Sequence, residues 1–307
     1  MEKLSVIVPC YNEQEVLPLF YDAFREVADT LPLTWELWLI DDGSRDETLA
    51  GIKALNERDE RVHYVAFSRN FGKEAAMYAG LEHASGDYVA IMDADLQDPP
   101  ALLPQMLRGV TEEGYDCVGS RRVTRKGEPP VRSWFARRFY ALMNRISKTE
   151  IVDGARDFRL MRRAMVDAIL RLCERERFSK GIFSWVGFRV KYLEYENVER
   201  AAGKTKWNFW KLLLYSLDGI MAFSTAPLAL ASIMGLVVCV AAFLLFLFFL
   251  IKTLLFGDPV AGFPALMCVM LMLGGIQLLG IGILGQYLSK TYLEVKKRPI
   301  YIAREEK

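Results

Sequence analysis

Alternating polar side chains at positions 93, 95 and 97 could hold a divalent metal ion. Asp93, Asp95 and Gln97 directly follow the apolar run YVAIM, which is typical of a buried strand. Carboxylate and amide oxygens suit Mg²⁺ or Mn²⁺, and substrate phosphates can complete the coordination shell. Two aspartates around one residue are common by chance, however, and the neighbouring Asp98 is expected to cap the turn at the following prolines.

Three further apolar runs lead into polar turns, namely PCYNE at 9–13, DDGSRDE at 41–47 and SRNFGKE at 68–74. In the second turn, one acid is expected to shape the turn and the other to face a crevice. Lys73 follows a glycine at the start of an Ala-rich helix, where an anion is favoured. Tyr11 could stack on a base, although packing over the strand end is the ordinary interpretation.

The elements that position these residues alternate between short apolar runs and amphipathic stretches. The runs lie at residues 4–8, 35–40, 62–67, 88–92 and 117–119. This alternation predicts an α/β fold with a mostly parallel sheet and helices on both faces. In such sheets ligands bind beyond the carboxyl ends of the strands, where the four polar turns converge.

Composition excludes several classes of function. The net charge of the 307 residues is only +1, which argues against a nucleic-acid-binding protein, although residues 121–148 carry nine basic side chains and one acid. The five cysteines lack CxxC spacing and are expected to be reduced. The two histidines disfavour a zinc hydrolase or a Ser-His-Asp enzyme. The N-terminus does not resemble a secretory signal, so the first domain is expected in the cytosol.

The composition of the last third of the chain predicts a membrane-embedded region. Residues 225–251 and 259–289 carry no charged side chain, and two spans are predicted at about 226–251 and 263–288. Lys and Arg flank both outer ends of this pair, so both termini are predicted to be cytoplasmic. Residues 207–223 suit either a helix on the membrane surface or a buried core helix. Five glycines in the second span suit either oligomerisation or packing of the two spans together.

Several motifs together identify a resemblance. The segments LSVIVPCYNE, LIDDGSRDET, MDADLQDPP, GARDFRLMRR and RAAGKTKWNFWKL resemble the family 2 inverting glycosyltransferases. Within them the chain is similar, over essentially its whole length, to the polyprenyl-phosphate sugar transferases. It most resembles the bactoprenol glucosyltransferases, relatives of dolichyl-phosphate mannose synthase. The resemblance implies a GT-A (Rossmann-like) fold.

The resemblance also implies roles for individual residues. Residues expected at the nucleotide-sugar donor are Pro9, Tyr11, Glu13, Asp42, Lys73, Asp93 and Arg121. Asp95 and Gln97 would hold Mg²⁺ or Mn²⁺, and the catalytic acids would be Asp93, Asp95 and Asp157. Residues expected at the lipid phosphate are Arg137, Arg138, Arg200 and Lys206. Asp157 could act as a base or could orient other groups. Arg200 and Lys206 could bind the lipid phosphate or could be ordinary positively charged anchors beside the membrane.

The implied activity is transfer of a hexose, with glucose from UDP-glucose expected, onto undecaprenyl or another polyprenyl phosphate at the cytoplasmic face of a bacterial inner membrane. The implied partners are the donor, the lipid acceptor and the bilayer, without nucleic acid, and the chain could form a homo-oligomer such as a tetramer. The expected domains are 1–199 (catalytic), 200–224 (juxtamembrane), 225–289 (two spans) and 290–307 (basic tail).

Two other functions fit parts of the sequence. A processive polysaccharide synthase would share the sheet and the DxD motif, but the chain has no QxxRW-like motif, and two spans are few for polymer export. A non-catalytic membrane scaffold or flippase subunit is disfavoured because acidic and basic residues occur at every strand end.

Overall fold

The computed structural model describes residues 2–123, 144–145, 152–175, 177–195, 224–256 and 263–307. The chain divides into two compact units. One unit comprises Met1–Gly219 and Pro299–Lys307, and the other comprises Ile220–Arg298.

The first unit is built on one mixed sheet, to which the described residues contribute eight strands. The strands are β1 (Lys3–Cys10), β2 (Thr34–Asp41), β3 (Val62–Phe67), β4 (Tyr88–Ile91), β5 (Cys117–Arg122), β6 (Ala155–Arg162), β7 (Val190–Tyr195) and β8 (Ala303–Glu306). Their order across the sheet is β7-β5-β6-β4-β1-β2-β3-β8. Strands β6 and β8 pair antiparallel with their neighbours, and the other pairings are parallel. The predicted mostly parallel α/β sheet is confirmed.

Helices cover both faces of this sheet. They are α1 (Leu17–Ala28), α2 (Thr48–Arg58), α3 (Lys73–His83), α4 (Leu103–Thr111), α5 (Arg163–Leu170) and α6 (Ser179–Trp185), with a 3₁₀ turn at Pro100–Leu102. Helices α1, α2 and α4 share one buried cluster with Leu4, Val6 and Val8 of β1. Side chains alternate along a strand, so Ile7 faces the other side, where α3 packs. A Cβ at Gly80 of α3 would lie 2.1 Å from Ile7 Cγ2, so this close approach requires glycine.

The C-terminal residues contribute a strand that the sequence analysis does not predict. The sequence predicts one basic tail at residues 290–307. In the structure, Ala303–Glu306 of this segment form β8 and pair antiparallel with β3. The first unit is therefore discontinuous in sequence, because its last strand follows the whole second unit.

The second unit contains two long apolar helices, α7 (Ala226–Phe256) and α8 (Phe263–Val295). Both include stretches long and apolar enough to cross a membrane, at Ala226–Leu245 and Met272–Val295. At 1.5 Å per residue, each helix is roughly 45–50 Å long, which exceeds the hydrocarbon core of a bilayer. The Tyr287 hydroxyl of α8 donates a hydrogen bond to the Ser224 carbonyl beside α7 at 2.6 Å. The helix predicted at 207–223 lies outside the described residues.

Candidate functional site

The carboxyl ends of β1 and β2 are linked by hydrogen bonds between their loops. Asn12 has a left-handed backbone (φ 54°), a conformation that Asn tolerates better than most residues. Its amide donates to Ser44 Oγ at 3.0 Å, and its side-chain oxygen accepts from the Arg45 amide at 2.9 Å. The Glu13 amide donates to Thr48 Oγ1 at 2.8 Å. These bonds fix the backbone that carries Pro9, Tyr11 and Glu13 at the edge of the sheet.

Asp42 connects the end of β2 to the loop before α3. Its carboxylate is buried and accepts the Phe71 amide at 2.6 Å and the Gly72 amide at 2.9 Å. Burial raises the pKa of Asp42 to about 6, while the two amide donors act in the opposite direction. Asp41 is also buried and accepts the Ser44 amide at 3.2 Å. Both acids of DDG therefore serve loop geometry, whereas the sequence assigned only one of them to the turn.

Lys73 lies between two carboxylates at the centre of the candidate site. Its Nζ is 2.6 Å from Asp93 Oδ1, just after β4, and 2.6 Å from Asp157 Oδ2 on the adjacent β6. The Lys73 side chain is 41% exposed, compared with 22% for Asp93 and 18% for Asp157. The structure thus joins three predicted site residues that are far apart in sequence, and leaves this ion-paired cluster open to a ligand.

The charges of this cluster stabilise each other. Burial disfavours ionisation of Asp157, but Lys73, together with Lys180 and Arg159, outweighs that effect and holds the pKa of Asp157 well below its usual range. Burial likewise disfavours the charged amine, yet Asp157 and Asp93 raise the pKa of Lys73. At neutral pH the site therefore contains an ammonium group and ionised Asp157. A carboxylate so strongly stabilised in its charged form is a weak proton acceptor.

Asp98 anchors the loop that carries the DxD motif. Its side chain is fully buried and accepts from Arg156 Nε at 3.3 Å, from Ser120 Oγ at 3.5 Å and from the Tyr195 hydroxyl. It therefore joins β5, β6 and the end of β7. The expected capping role of Asp98 is wrong, because the short 3₁₀ turn that follows has no side-chain cap. Burial raises the pKa of Asp98, and Arg156 opposes this rise.

The predicted metal ligands lie on the same loop. The backbone amide of Gln97 donates to Asp95 Oδ1 at 3.2 Å. The side-chain oxygen Oε1 of Gln97 accepts from Arg156 Nη2 at 3.3 Å. A guanidinium group can only donate, so Arg156 orients the side-chain amide of Gln97 with its oxygen towards the guanidinium. Among the described residues, no cluster of three or more His, Cys, Asp or Glu could by itself enclose a metal. Two oxygen ligands fit Mg²⁺ or Mn²⁺ when substrate phosphates supply the remainder.

The predicted phosphate-binding residues are only partly described. Arg121, at the end of β5, donates from Nε to the Asp153 carbonyl at 3.1 Å and from Nη1 to Glu194 Oε1 at 3.3 Å. Four predicted acceptor residues lie outside the described part of the chain: Arg137, Arg138, Arg200 and Lys206.

Sequence reasoning missed Arg156 as a site residue. Its guanidinium is 26% exposed and contacts both Gln97 and Asp98. The available signal was its place directly before Asp157 in GARDFRLM, on a strand beside the DxD loop.

The comparisons with known proteins agree with this architecture. The family model "Glycosyl transferase family 2" matches residues 5–170. The chain is 45% identical over 305 residues to a bactoprenol glucosyl transferase of Shigella phage SfV, with 99% of each chain covered. It is 43% identical over 305 residues to a prophage bactoprenol glucosyl transferase homolog of Escherichia coli (strain K12), again with 99% of each covered.

A solved structure supports the fold. The crystal structure of mannosyl-3-phosphoglycerate synthase from Rubrobacter xylanophilus matches 72% of each chain, with a TM-score of 0.50 and 19% identity. At this identity the likeness concerns the fold alone, and it agrees with the GT-A fold expected from the sequence.

Proposed function

This chain belongs to glycosyltransferase family 2, and from that premise we propose that it transfers glucose from UDP-glucose to a polyprenyl phosphate, undecaprenyl phosphate in bacteria. The observation that carries the proposal is the full-length similarity to bactoprenol glucosyl transferases, which includes the two apolar helices. The cluster of Lys73, Asp93 and Asp157 at the carboxyl edge of the sheet supports it, because a charged crevice there suits a nucleotide sugar.

The donor is proposed to bind across the ends of β1 to β4. Pro9, Tyr11 and Glu13 would contact the nucleoside, and Asp42 would support that region through the loop it holds. Lys73 and Arg121 would face the diphosphate. Lys73 can exchange one carboxylate partner for a phosphate oxygen without leaving the cluster, because it contacts two carboxylates at once.

Charge develops on the leaving diphosphate as its bond to the anomeric carbon breaks. Asp95 and Gln97 would hold Mg²⁺ or Mn²⁺, which supplies Lewis-acid stabilisation of that charge. Arg156 keeps the Gln97 oxygen oriented, and Asp98 keeps Arg156 in place. Attack by the acceptor from the opposite side inverts the anomeric centre, so an α-linked donor yields a β-linked product.

The acceptor phosphate is already anionic at neutral pH and needs no strong base. Asp157 is therefore proposed to orient Lys73 and the acceptor, in keeping with its lowered pKa. Arg137, Arg138, Arg200 and Lys206 would contact the lipid phosphate at headgroup level, the last two shortly before residues 207–223, one of whose two predicted forms is a membrane-surface helix.

Helices α7 and α8 are proposed to span the membrane, with both termini in the cytoplasm. The basic flanks support this orientation. The pairing of β8 with β3 independently supports the placement of both ends on one side, because two strands of one sheet must lie on the same side of a bilayer. We also propose that the chain assembles into a homo-oligomer. In the described residues, no atom lies within 4 Å of a Cβ built on the glycines of α8, so this small-residue surface has room for another helix.

The test uses purified full-length protein in detergent with undecaprenyl phosphate and a panel of radiolabelled nucleotide sugars. Label should pass to the lipid from UDP-glucose in preference to UDP-galactose or GDP-mannose. Absence of labelled lipid with every donor would refute the activity, and preference for another sugar would correct the donor.

Asp95→Asn in the same assay tests the metal site. Transfer should be abolished, and Mn²⁺ affinity in the presence of UDP, measured by electron paramagnetic resonance, should fall. The exposed Asp22 on α1 provides the matched control Asp22→Asn, which should behave like wild type. Full transfer by Asp95→Asn, or by wild type in EDTA, would refute the assignment.

A further inference from the structure

The C-terminal segment makes regular sheet contacts with β3. The Tyr64 amide donates to the Lys307 carbonyl at 2.9 Å, and the Lys307 amide returns a bond to the Tyr64 carbonyl at 3.0 Å. The Ser68 amide donates to the Ile302 carbonyl at 3.0 Å. The last of these bonds lies where β3 passes into the loop at residues 68–72, which leads to Lys73. The tail thus reaches the part of the sheet from which the candidate site is built.

An aromatic series runs from the tail into this loop. The ring of Tyr301 stacks on the buried ring of Phe67, with centroids 4.9 Å apart and planes at 22°. Phe67 in turn meets Phe71 edge to face, at 5.7 Å and 89°. The Arg69 guanidinium lies over Phe71, 3.9 Å from its centroid. Such pairs favour particular ring geometries and add to the stability gained from burial. Tyr301 and Phe71 are therefore linked through their shared contact with Phe67.

The backbone of Phe71 is directly connected to the site. Its amide donates to Asp42, as does the amide of Gly72, and the next residue is Lys73. Lys73 Nζ reaches both Asp93 and Asp157 at 2.6 Å, so displacement of the loop would alter the geometry of both contacts.

We propose that Tyr301 is a positioning residue for the donor site. It acts through Phe67 and Phe71, which hold the loop at residues 68–72 so that Lys73 lies between Asp93 and Asp157. The part of this inference that concerns donor binding rests on the proposed function. The alternative is that Tyr301 only fastens β8 to the edge of the sheet, and the two roles predict different local effects.

The experiment compares three variants of the full-length protein. Tyr301→Ala removes the ring, and Tyr301→Phe keeps it. Ile302→Ala is the matched control, because Ile302 is 52% exposed and the carbonyl that receives the Ser68 bond is retained. Amide hydrogen exchange is followed for residues 68–73 and, as an internal reference, for residues 4–8 of β1. Donor and acceptor KM values are measured on the same preparations.

In Tyr301→Ala, exchange of the Phe71 and Gly72 amides should accelerate about tenfold, the scale set by loss of one or two aromatic pairs. Residues 4–8 should be unaffected. The KM for UDP-glucose should rise several-fold, with kcat and the KM for polyprenyl phosphate nearly unchanged. Tyr301→Phe and Ile302→Ala should both resemble wild type.

Two results would overturn the proposal. One is equal exchange at residues 68–73 in Tyr301→Ala and Ile302→Ala. The other is acceleration that extends equally to residues 4–8, because general loosening of the sheet indicates a fastening role only. Exchange does not depend on turnover, so a wild-type protein without transferase activity would refute the proposed function and leave the exchange data to decide the positioning role.

Discussion

At the scale of single residues, the site depends on cations that hold carboxylates in their charged form. Lys73 helps to keep Asp157 ionised despite its burial, whereas Arg156 only limits the rise that burial causes in the pKa of Asp98. A buried carboxylate deprived of its cation tends to take up a proton, since burial alone raises its pKa. The pH dependence of the reaction should therefore report the presence of Lys73.

Lys73→Met should move the acid limb of the pH–rate profile to higher pH. Lys73 lowers the pKa of Asp157, so its removal raises that pKa by leaving only Lys180 and Arg159 to oppose burial. The variant then loses ionised Asp157 at a pH where wild type retains it. The measurement is transfer rate at saturating donor and acceptor between about pH 5 and 9.

Lys73→Arg provides the control, because it preserves the positive charge and should keep the acid limb near its wild-type position. Superimposable profiles for Lys73→Met and wild type would show that Lys73 does not govern the ionisation of the catalytic form.

At the scale of elements, the site is positioned by loops that contact one another directly. Gly43, in the turn after β2, has φ 67°, and a Cβ there would lie 2.5 Å from the Arg69 carbonyl carbon and 2.7 Å from the Asn70 nitrogen. The turn and the loop before α3 therefore fit only if this position is glycine. Asp42, one residue earlier, fastens the same loop through its carboxylate.

Gly43→Ala should be more destabilising than Gly114→Ala. Both glycines have left-handed backbones, so an added Cβ costs each about 1–2 kcal/mol. Gly114 has no atom within 4 Å of that Cβ in the described structure, whereas Gly43 meets backbone atoms, which should add about 1–3 kcal/mol. Urea unfolding followed by tryptophan fluorescence measures the difference in the free energy of unfolding. Equal losses would contradict the contact between the two loops.

Sequence patterns predicted those elements whose signal is local. The alternation of apolar runs and helices predicted the sheet, and the strand-end motifs singled out Lys73 and Asp93, whereas Asp157 was suggested only by the family resemblance. The strand β8 was missed because AREE is short, charged and without apolar alternation. The buried role of Asp98 was missed because its partners, Arg156, Ser120 and Tyr195, come from three distant strands. Such partners become neighbours only through the topology of the sheet.

At the scale of the whole molecule, the apolar unit is inserted into the sequence of the sheet-bearing unit. Residues 299–307 return to the unit formed by residues 1–219 after the two apolar helices. If both helices span a membrane, as we propose, the segments before and after them emerge on the same side, which agrees with the orientation that the basic flanks predict. The chain order and the strand pairing are thus mutually consistent.

Reporter fusions should place Lys307 in the cytoplasm and residues 257–262, between the two apolar helices in sequence, outside it. A fluorescent protein after Lys307 should fold and emit, whereas alkaline phosphatase should be active only when inserted among residues 257–262. The paired fusions give reciprocal signals, so each serves as the control for the other. Activity of a phosphatase fused after Lys307 would contradict the prediction, because it would place the C-terminus outside the cytoplasm and require an odd number of spans.

The discontinuous sheet also determines when, during biosynthesis, the protein can complete its fold. Residues 68–302 must be synthesised between β3 and β8, which takes roughly 10–50 s at about 5–20 residues per second. Throughout that interval the outer edge of β3 lacks its partner strand, and an open edge can pair with other chains. A chain that stops before Ala303 leaves this edge open permanently. Completion of the sheet thus marks a chain whose synthesis has passed both apolar helices.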